Sequence, residues 1–225
     1  MKINIIRGKP IELLKGLVVM VDVFRASSTI TSLCMMPVKK IVVAQNPPDE
    51  KLKGDYFFMD NKHPFRDKDN SPITVLNTNY DEIERAYIIT KNGTQILEFI
   101  KDSDEFLFAS FLNVRYVAQY IKNKMFDKVH IIAIGNIGVP EETLEDNLCA
   151  EVLKKYLVGE AIDHEKINIT MMERIEEIKL DPRSPHGIHV ENDRKFCSSL
   201  NIFRAIPRAM INNGLIEVKN AEFDL

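Results

Sequence analysis

The chain has no paired-cysteine framework, no basic excess and no apolar run long enough to cross a bilayer, and each absence removes a class of function. Cys34, Cys149 and Cys197 lie far apart with no C-x-x-C, which excludes a disulfide scaffold and a zinc knuckle. Two of them fall within apolar helical patterns, where a free cysteine acts as a small hydrophobe. The 30 Lys and Arg residues are outnumbered by 33 Asp and Glu, so no general nucleic-acid partner is expected. No stretch approaches the ~20 apolar residues of a membrane span. The opening MKINIIRGKP is too short and too interrupted for a secretory signal. The expectation is a cytoplasmic protein with no membrane partner. A homo-oligomer is compatible with this composition.

What is present is ordinary globular composition, with 45% apolar and 28% charged residues over 225 positions. That length can bury a sizeable core. We expect one α/β domain over 1–225, with two similar α/β halves as the alternative.

The chain is organised around GLVVMVDVFRASS, residues 16–28. An unbroken apolar run from Leu17 to Val21 reads as a strand buried on both faces, as in parallel sheets. Ser27, Ser28 and Thr29 then precede a helical pattern, which is the chemistry of helix N-termini. Asp22 is expected at the carboxyl end of that strand, with Arg25 and the hydroxyls around a helix start. Ligands bind at that end in open α/β sheets, and free backbone N–H groups there attract anions. A capping Asp and a surface Arg would give the same local pattern.

Further along, strands are expected at Lys2–Ile6, Val38–Ala44 and Asp55–Met59, with a short helical turn over Gln45–Gly54. Asp60–Pro72 reads as a long polar loop, a kind that is often functional inside a compact domain. From Ala86 the rhythm is regular, with strands at Ala86–Thr90, Glu105–Ala109 and Lys128–Ile134. Each is followed by a loop and a helix. Repeated β–loop–α units point to a three-layer αβα fold with a largely parallel or mixed sheet. Right-handed crossovers then place the loops on one rim, bringing Asp22 and Arg25 together with Asn92, Gly93, Thr94, Ser110, Asn113, Glu145 and Asp146. If Leu144, Leu148 and Leu153 face the core, Asp146 faces elsewhere, into a cleft or solvent. Helices are expected at Glu165–Leu180 and Glu191–Leu200, a loop at 181–187 and a terminal strand at Leu215–Lys219. His186 and His189 lack a third ligand that would make them a metal site.

Several blocks in order resemble the 2-phosphosulfolactate phosphatase family. VVMVDVFRASSTI is similar to its V-DVLRATTT block, DNSP at 69–72 to its GNSP, and TKNGTQIL at 90–97 to its TTNGTRAL. FASFLNVRYVA at 108–118 is similar to its SF-NA-AVA stretch, and EDNLCAE at 145–151 to its ED-LCAG. The family's Gly-Glu-Arg-Gly stretch before GNSP has no counterpart; KHPFRDKD stands in its place. Asp69, Lys91 and Glu151 also replace a Gly, a Thr and a Gly of the pattern. These departures bear on the substrate more than on the fold.

The resemblance implies a Mg²⁺-dependent phosphomonoester hydrolase, of the kind named for a step in coenzyme M biosynthesis, acting on a small anionic phosphorylated 2-hydroxy acid. It implies Asp22, Glu145 and Asp146 around the metal, with Asp22, Arg25 and Asp146 as catalytic residues. Ser27, Ser28, Asn70, Ser71, Asn92, Gly93, Thr94 and Asn113 are the implied phosphate- and substrate-binding residues. Two other readings stand beside it. A haloacid-dehalogenase-type phosphatase needs a second Asp two residues after the first, and that position is Phe24. A non-catalytic anion- or metabolite-binding protein derived from the family is the reading of a different class.

Overall fold

The computed structural model describes residues 1–91, 94–135, 143–180, 188–212 and 215–221. Nine strands occur in these segments: β1 Lys2–Arg7, β2 Leu17–Val21, β3 Lys40–Ala44, β4 Asp55–Met59, β5 Arg85–Ile89, β6 Glu105–Ala109, β7 Lys128–Ala133, β8 Pro207–Asn212 and β9 Leu215–Asn220. The helices are α1 Ala26–Leu33, α2 Pro72–Leu76, α3 Leu97–Ile100, α4 Val114–Lys124, α5 Leu144–Val158, α6 His164–Leu180 and α7 Ile188–Cys197. The strands form one sheet in the order β1-β7-β2-β6-β8-β9-β3-β5-β4.

The apolar runs expected to be strands are strands, and their alternation builds the layers. Leu17, Val19 and Val21 of β2 pack with α4, α5 and α6 on one face of the sheet. Val18 and Met20 pack on the other face with Ile30, Leu33, Val75, Ile96 and Ile100 of α1, α2 and the α3 region. The result is the expected αβα layering around a mixed, largely parallel sheet. A separate small cluster, Ala44, Phe57, Met59 and Ile89, lies under Phe65 of the 60s loop.

Three local expectations are corrected. Gln45–Gly54 contains bends and no helix, since Pro47 and Pro48 restrict the backbone and offer no amide hydrogen. The strand β8 and the short helix α2 were not expected. PRAMIN carries no clean alternation, and PITVL is too short for helical periodicity to show. The residues of the 181–187 loop lie outside the described segments.

The single rim is also corrected. β6–β8, β8–β9 and β9–β3 are all antiparallel, so β3, β5 and β4 run opposite to β1, β7, β2 and β6. The loops after β2, β6 and β7 share one rim, and those after β3, β4 and β5 leave from the other side of the sheet. Even so, Asp60 just after β4 bonds Arg25 just after β2, at 2.9 Å. With strands about 4.8 Å apart, six steps in a flat sheet would separate those ends by roughly 29 Å. The sheet must therefore twist and coil around α1, and a twist of about 20–25° per strand supplies that curvature. All eight residues of α1 are buried.

Gly16, at the entry to β2, has φ +94°, and a Cβ there would sit 2.7 Å from the Lys128 carbonyl oxygen. Both the backbone conformation and the close approach demand glycine. Gly16→Ala should lower stability by roughly 2 kcal/mol or more, a fall of about 4–8 °C in Tm. An unchanged melting curve in a thermal scan would show that the strand entry tolerates a side chain.

Candidate active site

Asp22 follows directly on the fully buried β2. Its Oδ1 accepts from the Ala26 amide at 3.2 Å, capping the start of α1, and its own amide donates to Ser27 Oγ at 3.1 Å. Asp146, in the first turn of α5, is the second anchor. Its Oδ1 accepts from the Val23 amide at 2.7 Å and its Oδ2 from the Gly135 amide at 3.0 Å. One carboxylate therefore ties the α5 N-terminus to the exits of both β2 and β7. Asp146 does not face away from the core. It heads the buried stripe Asp146–Cys149–Ala150–Leu153–Leu157, while Leu144 is largely exposed.

Asp22, Glu145 and Asp146 are each at most 6% exposed. Burial pushes Asp22 up to about 6, with the Glu145 charge adding to the rise and the Ala26 hydrogen bond opposing it. Burial, then the Asp22 charge, then Glu145 push Asp146 well above the usual carboxylate range. Acids crowded out of water without a full countercharge suit a cation. Glu145 is partly neutralised, because its Oε2 accepts from Arg174 Nε at 2.9 Å. Among the described residues no group of three or more His, Cys, Asp or Glu side chains converges on one point. Asp22 and Asp146 offer only oxygen donors. One or two carboxylates completed by waters and phosphate is the usual arrangement for Mg²⁺, so the donor set fits that ion.

Arg25 is the second focus. Its Nη1 pairs with Asp193 Oδ2, and its Nη2 with Asp60 Oδ1. Burial pulls its pKa down, but Asp60 and Asp193 outweigh that and the net shift is up. Asp193 Oδ1 also accepts from Ser71 Oγ at 2.5 Å, and Asp60 Oδ1 from the Asn70 amide at 3.1 Å. Asn70 and Ser71 are thus drawn to Arg25, and Ser71 in turn caps α2 through the Thr74 amide at 3.1 Å.

The other expected ligands are more committed to structure. Ser27 Oγ is bonded to Asp22 N and Met20 O, and Ser28 Oγ donates to Val23 O. Asn113 is fully buried; its Oδ1 accepts from the Ser110 amide and its Nδ2 donates to the carbonyls of Phe108 and Ala205. Thr94 Oγ1 donates back to the Thr90 and Lys91 carbonyls. Asn92 and Gly93 lie outside the described residues.

Sequence reasoning missed Asp60, Arg174, Asp193 and Arg194. A signal did exist in α7. Val190, Asp193, Arg194 and Cys197 are spaced i, i+3, i+4, i+7, so an acid and a base occupy the stripe that would normally be apolar. Asp193 and Arg194 are buried there. Burial and the nearby Arg25 charge lower the Arg194 pKa.

Residues 61–211 match the model of the family described as 2-phosphosulpholactate phosphatase. The chain belongs to that family. Curated proteins that it is similar to include a "Probable 2-phosphosulfolactate phosphatase" of Thermotoga maritima, 30% identical with 88% of this chain and 90% of that protein covered. Proteins of the same name from Gloeobacter violaceus and Thermoplasma volcanium are 29% and 28% identical, covering 88% and 91% of this chain and 90% and 94% of theirs. The family's aligned span includes Asp146, Asn70, Ser71 and Asp193, and the pairwise matches cover most of the chain.

In metal-free protein the ionised Asp22 opposes folding. Stability is fully present below the unfolded pKa of 3.8 and lost as pH rises through about 6. An Asn can keep the Ala26 hydrogen bond without the charge. In chelator at about pH 8, Asp22→Asn should therefore raise Tm, and the gain should vanish near pH 4. A lower Tm at about pH 8 would mean that the Asp22 charge is already compensated.

Proposed function

We propose that the chain is a Mg²⁺-dependent phosphomonoester hydrolase acting on a small anionic phosphorylated 2-hydroxy acid. The observation that carries this reading is the pair of dry carboxylates, Asp22 and Asp146, at the ends of neighbouring parallel strands beside a guanidinium. Family membership and the names of the relatives support the same chemistry.

Asp22 and Asp146 would hold the ion, with Glu145 adjoining and its charge shared with Arg174. Bound there, Mg²⁺ would supply charge neutralisation at the phosphoryl oxygens and a template for the attacking and leaving groups. The protein's own part is positional. Arg25 presents a planar fork that pairs with phosphate oxygens in a way Lys cannot. Its other side is fixed by the buried Asp193, so little freedom is lost when an anion arrives. Asp60 is more than half exposed, so an incoming phosphate can take its place on the guanidinium while the Asp60 charge returns to water. The positive end of the α1 dipole adds to the field at the same point.

The test is phosphate release from a phosphomonoester with and without Mg²⁺. Turnover should need the ion and stop on chelation. Asp22→Asn should lower kcat/KM at least about hundredfold, a loss of roughly 2.7 kcal/mol in transition-state stabilisation, while the circular dichroism spectrum stays native. Asp146→Asn, whose Nδ2 would face one of the two backbone amides the carboxylate accepts from, should lose activity and stability together. Turnover in both variants equal to wild type would remove the two carboxylates from the reaction.

A further inference from the structure

Residues 8–16 carry the chain from the end of β1 back to the start of β2, along the sheet, without forming a helix or strand. Beneath this strap, on β7, lies His130, which is 2% exposed and sits opposite Asn4 of β1 and Val18 of β2. We propose that the strap is an acid-sensitive closure whose latch is the neutral His130 ring, and that the protonated ring releases it from the sheet. The proposal does not depend on the phosphatase reading.

The first argument is what surrounds the ring. Side chains alternate along a strand, so His130 shares a face with Ile132, which packs with Leu14, Val18 and Met20. Among the described residues neither ring nitrogen meets a hydrogen-bond partner of normal geometry. Burial, then Lys128 on the same strand, hold the ring below its ordinary pKa of 6.5, and Lys2 of β1 adds to them. The Lys15 backbone and the Glu12 carboxylate, both in the strap, act the other way without prevailing. Strand β2 brings no charge, and Glu98 of α3 is already paired with Lys9 at 3.0 Å. A proton on His130 would therefore create a buried cation with no bonded countercharge, among the costliest groups a fold can hold.

The second argument is how lightly the strap is held. Of its side chains Pro10 and Leu14 are buried, while Ile11 is 97% exposed. Three backbone bonds tie it down: Gly8 N to Ala133 O at 2.7 Å, Leu14 N to Phe99 O at 2.7 Å, and Asp104 N to Gly16 O at 2.9 Å. Lys9 adds its exposed pair with Glu98 and lies 5.0 Å from the centroid of the Phe99 ring. A segment with so few buried side chains opens locally at less than the cost of global unfolding. Opening returns the ring to water. It also frees the Ala133 carbonyl at the exit of β7, two residues before the Gly135 amide that donates to Asp146.

The sign follows from these two states. The closed ring binds a proton less readily than the open one, so closure has its full strength above pH 6.5 and is lost as pH falls through the lowered value. At pH 5 a ring of ordinary pKa is roughly thirtyfold more protonated than neutral, which is the upper bound on the gain in open population.

Hydrogen exchange of the full chain in chelator, corrected for the intrinsic pH dependence of the chemistry, provides the test. Protection over 8–15 should fall at least about threefold between pH 7.5 and pH 5, while the amides of β2 and β6 keep or gain theirs. His130→Leu removes the titrating ring at similar volume, and its strap should be equally protected at both pH values. Lys128→Gln removes a charge that opposes protonation and should shrink the acid effect about twofold, and Glu12→Gln should enlarge it about twofold. Neither of those side chains is buried, so both variants should fold. The His130 ring itself, followed through its Cε1 resonance, should titrate below 6.5.

An equal loss of protection in the strap and in β2 and β6 would overturn the proposal, as would an acid effect that survives in His130→Leu. A ring that titrates at 6.5 or above, or charge variants that shift the effect in the same direction, would overturn it too. If His130→Leu does not fold, the ring titration and the two charge variants decide the matter.

Discussion

The carboxylate of Asp146 is the constraint from which the rest of the site follows. Accepting from the amides of Val23 and Gly135, it fastens α5 across the ends of two adjacent parallel strands. Those hydrogen bonds are made to a charge, the stronger kind, and they satisfy amides at strand exits that would otherwise be buried and unpaired. The same contacts set Asp146 beside Asp22 in a place that water cannot reach well. The Asp22 charge, added to burial, holds Asp146 above the usual carboxylate range.

Arg25 organises the other half of the site. It joins three segments far apart in the chain: the turn into α1, the 60–71 loop and α7. Its two ion pairs differ in kind. Asp193 is buried and also bonded to Ser71, so removing it would strand a buried charge, whereas Asp60 is more than half exposed and can return to water. One partner fixes the guanidinium, and the other gives way.

Much of this was legible in sequence because strong local signals coincided with the core. Runs such as LVVMV and EFLFA can hardly be anything but buried strands, and Asp22 and Asp146 stood out where such runs meet helices. Two things were hidden. Strand polarity across the sheet depends on the β8–β9 hairpin, and β8 has neither clean alternation nor an apolar run, so the division of the rim could not be read locally. Two of the partners in the site come from α6 and α7: Asp193 lies 168 residues from Arg25 and Arg174 lies 29 residues from Glu145, separations that no spacing rule connects. Asn113 is ambiguous for a different reason. An amide at a strand-to-helix turn has the same composition whether it meets a ligand or closes the turn on itself, as it does here.

The central place of β8 and β9 has a consequence for how the molecule is assembled. The two parallel blocks, β1-β7-β2-β6 and β3-β5-β4, share no hydrogen-bonded edge and are joined within the sheet through this hairpin, which follows every other strand in chain order. Until it docks, β6 and β3 are open edges, each a template for pairing with another chain. The closing pairs are also among the most distant in sequence, such as Ile41 with Val218, so they form against the largest loop-closure entropy. A lesion in residues 207–220 would therefore not trim a margin. It would split the sheet at its centre and expose two sticky edges on either side of the break.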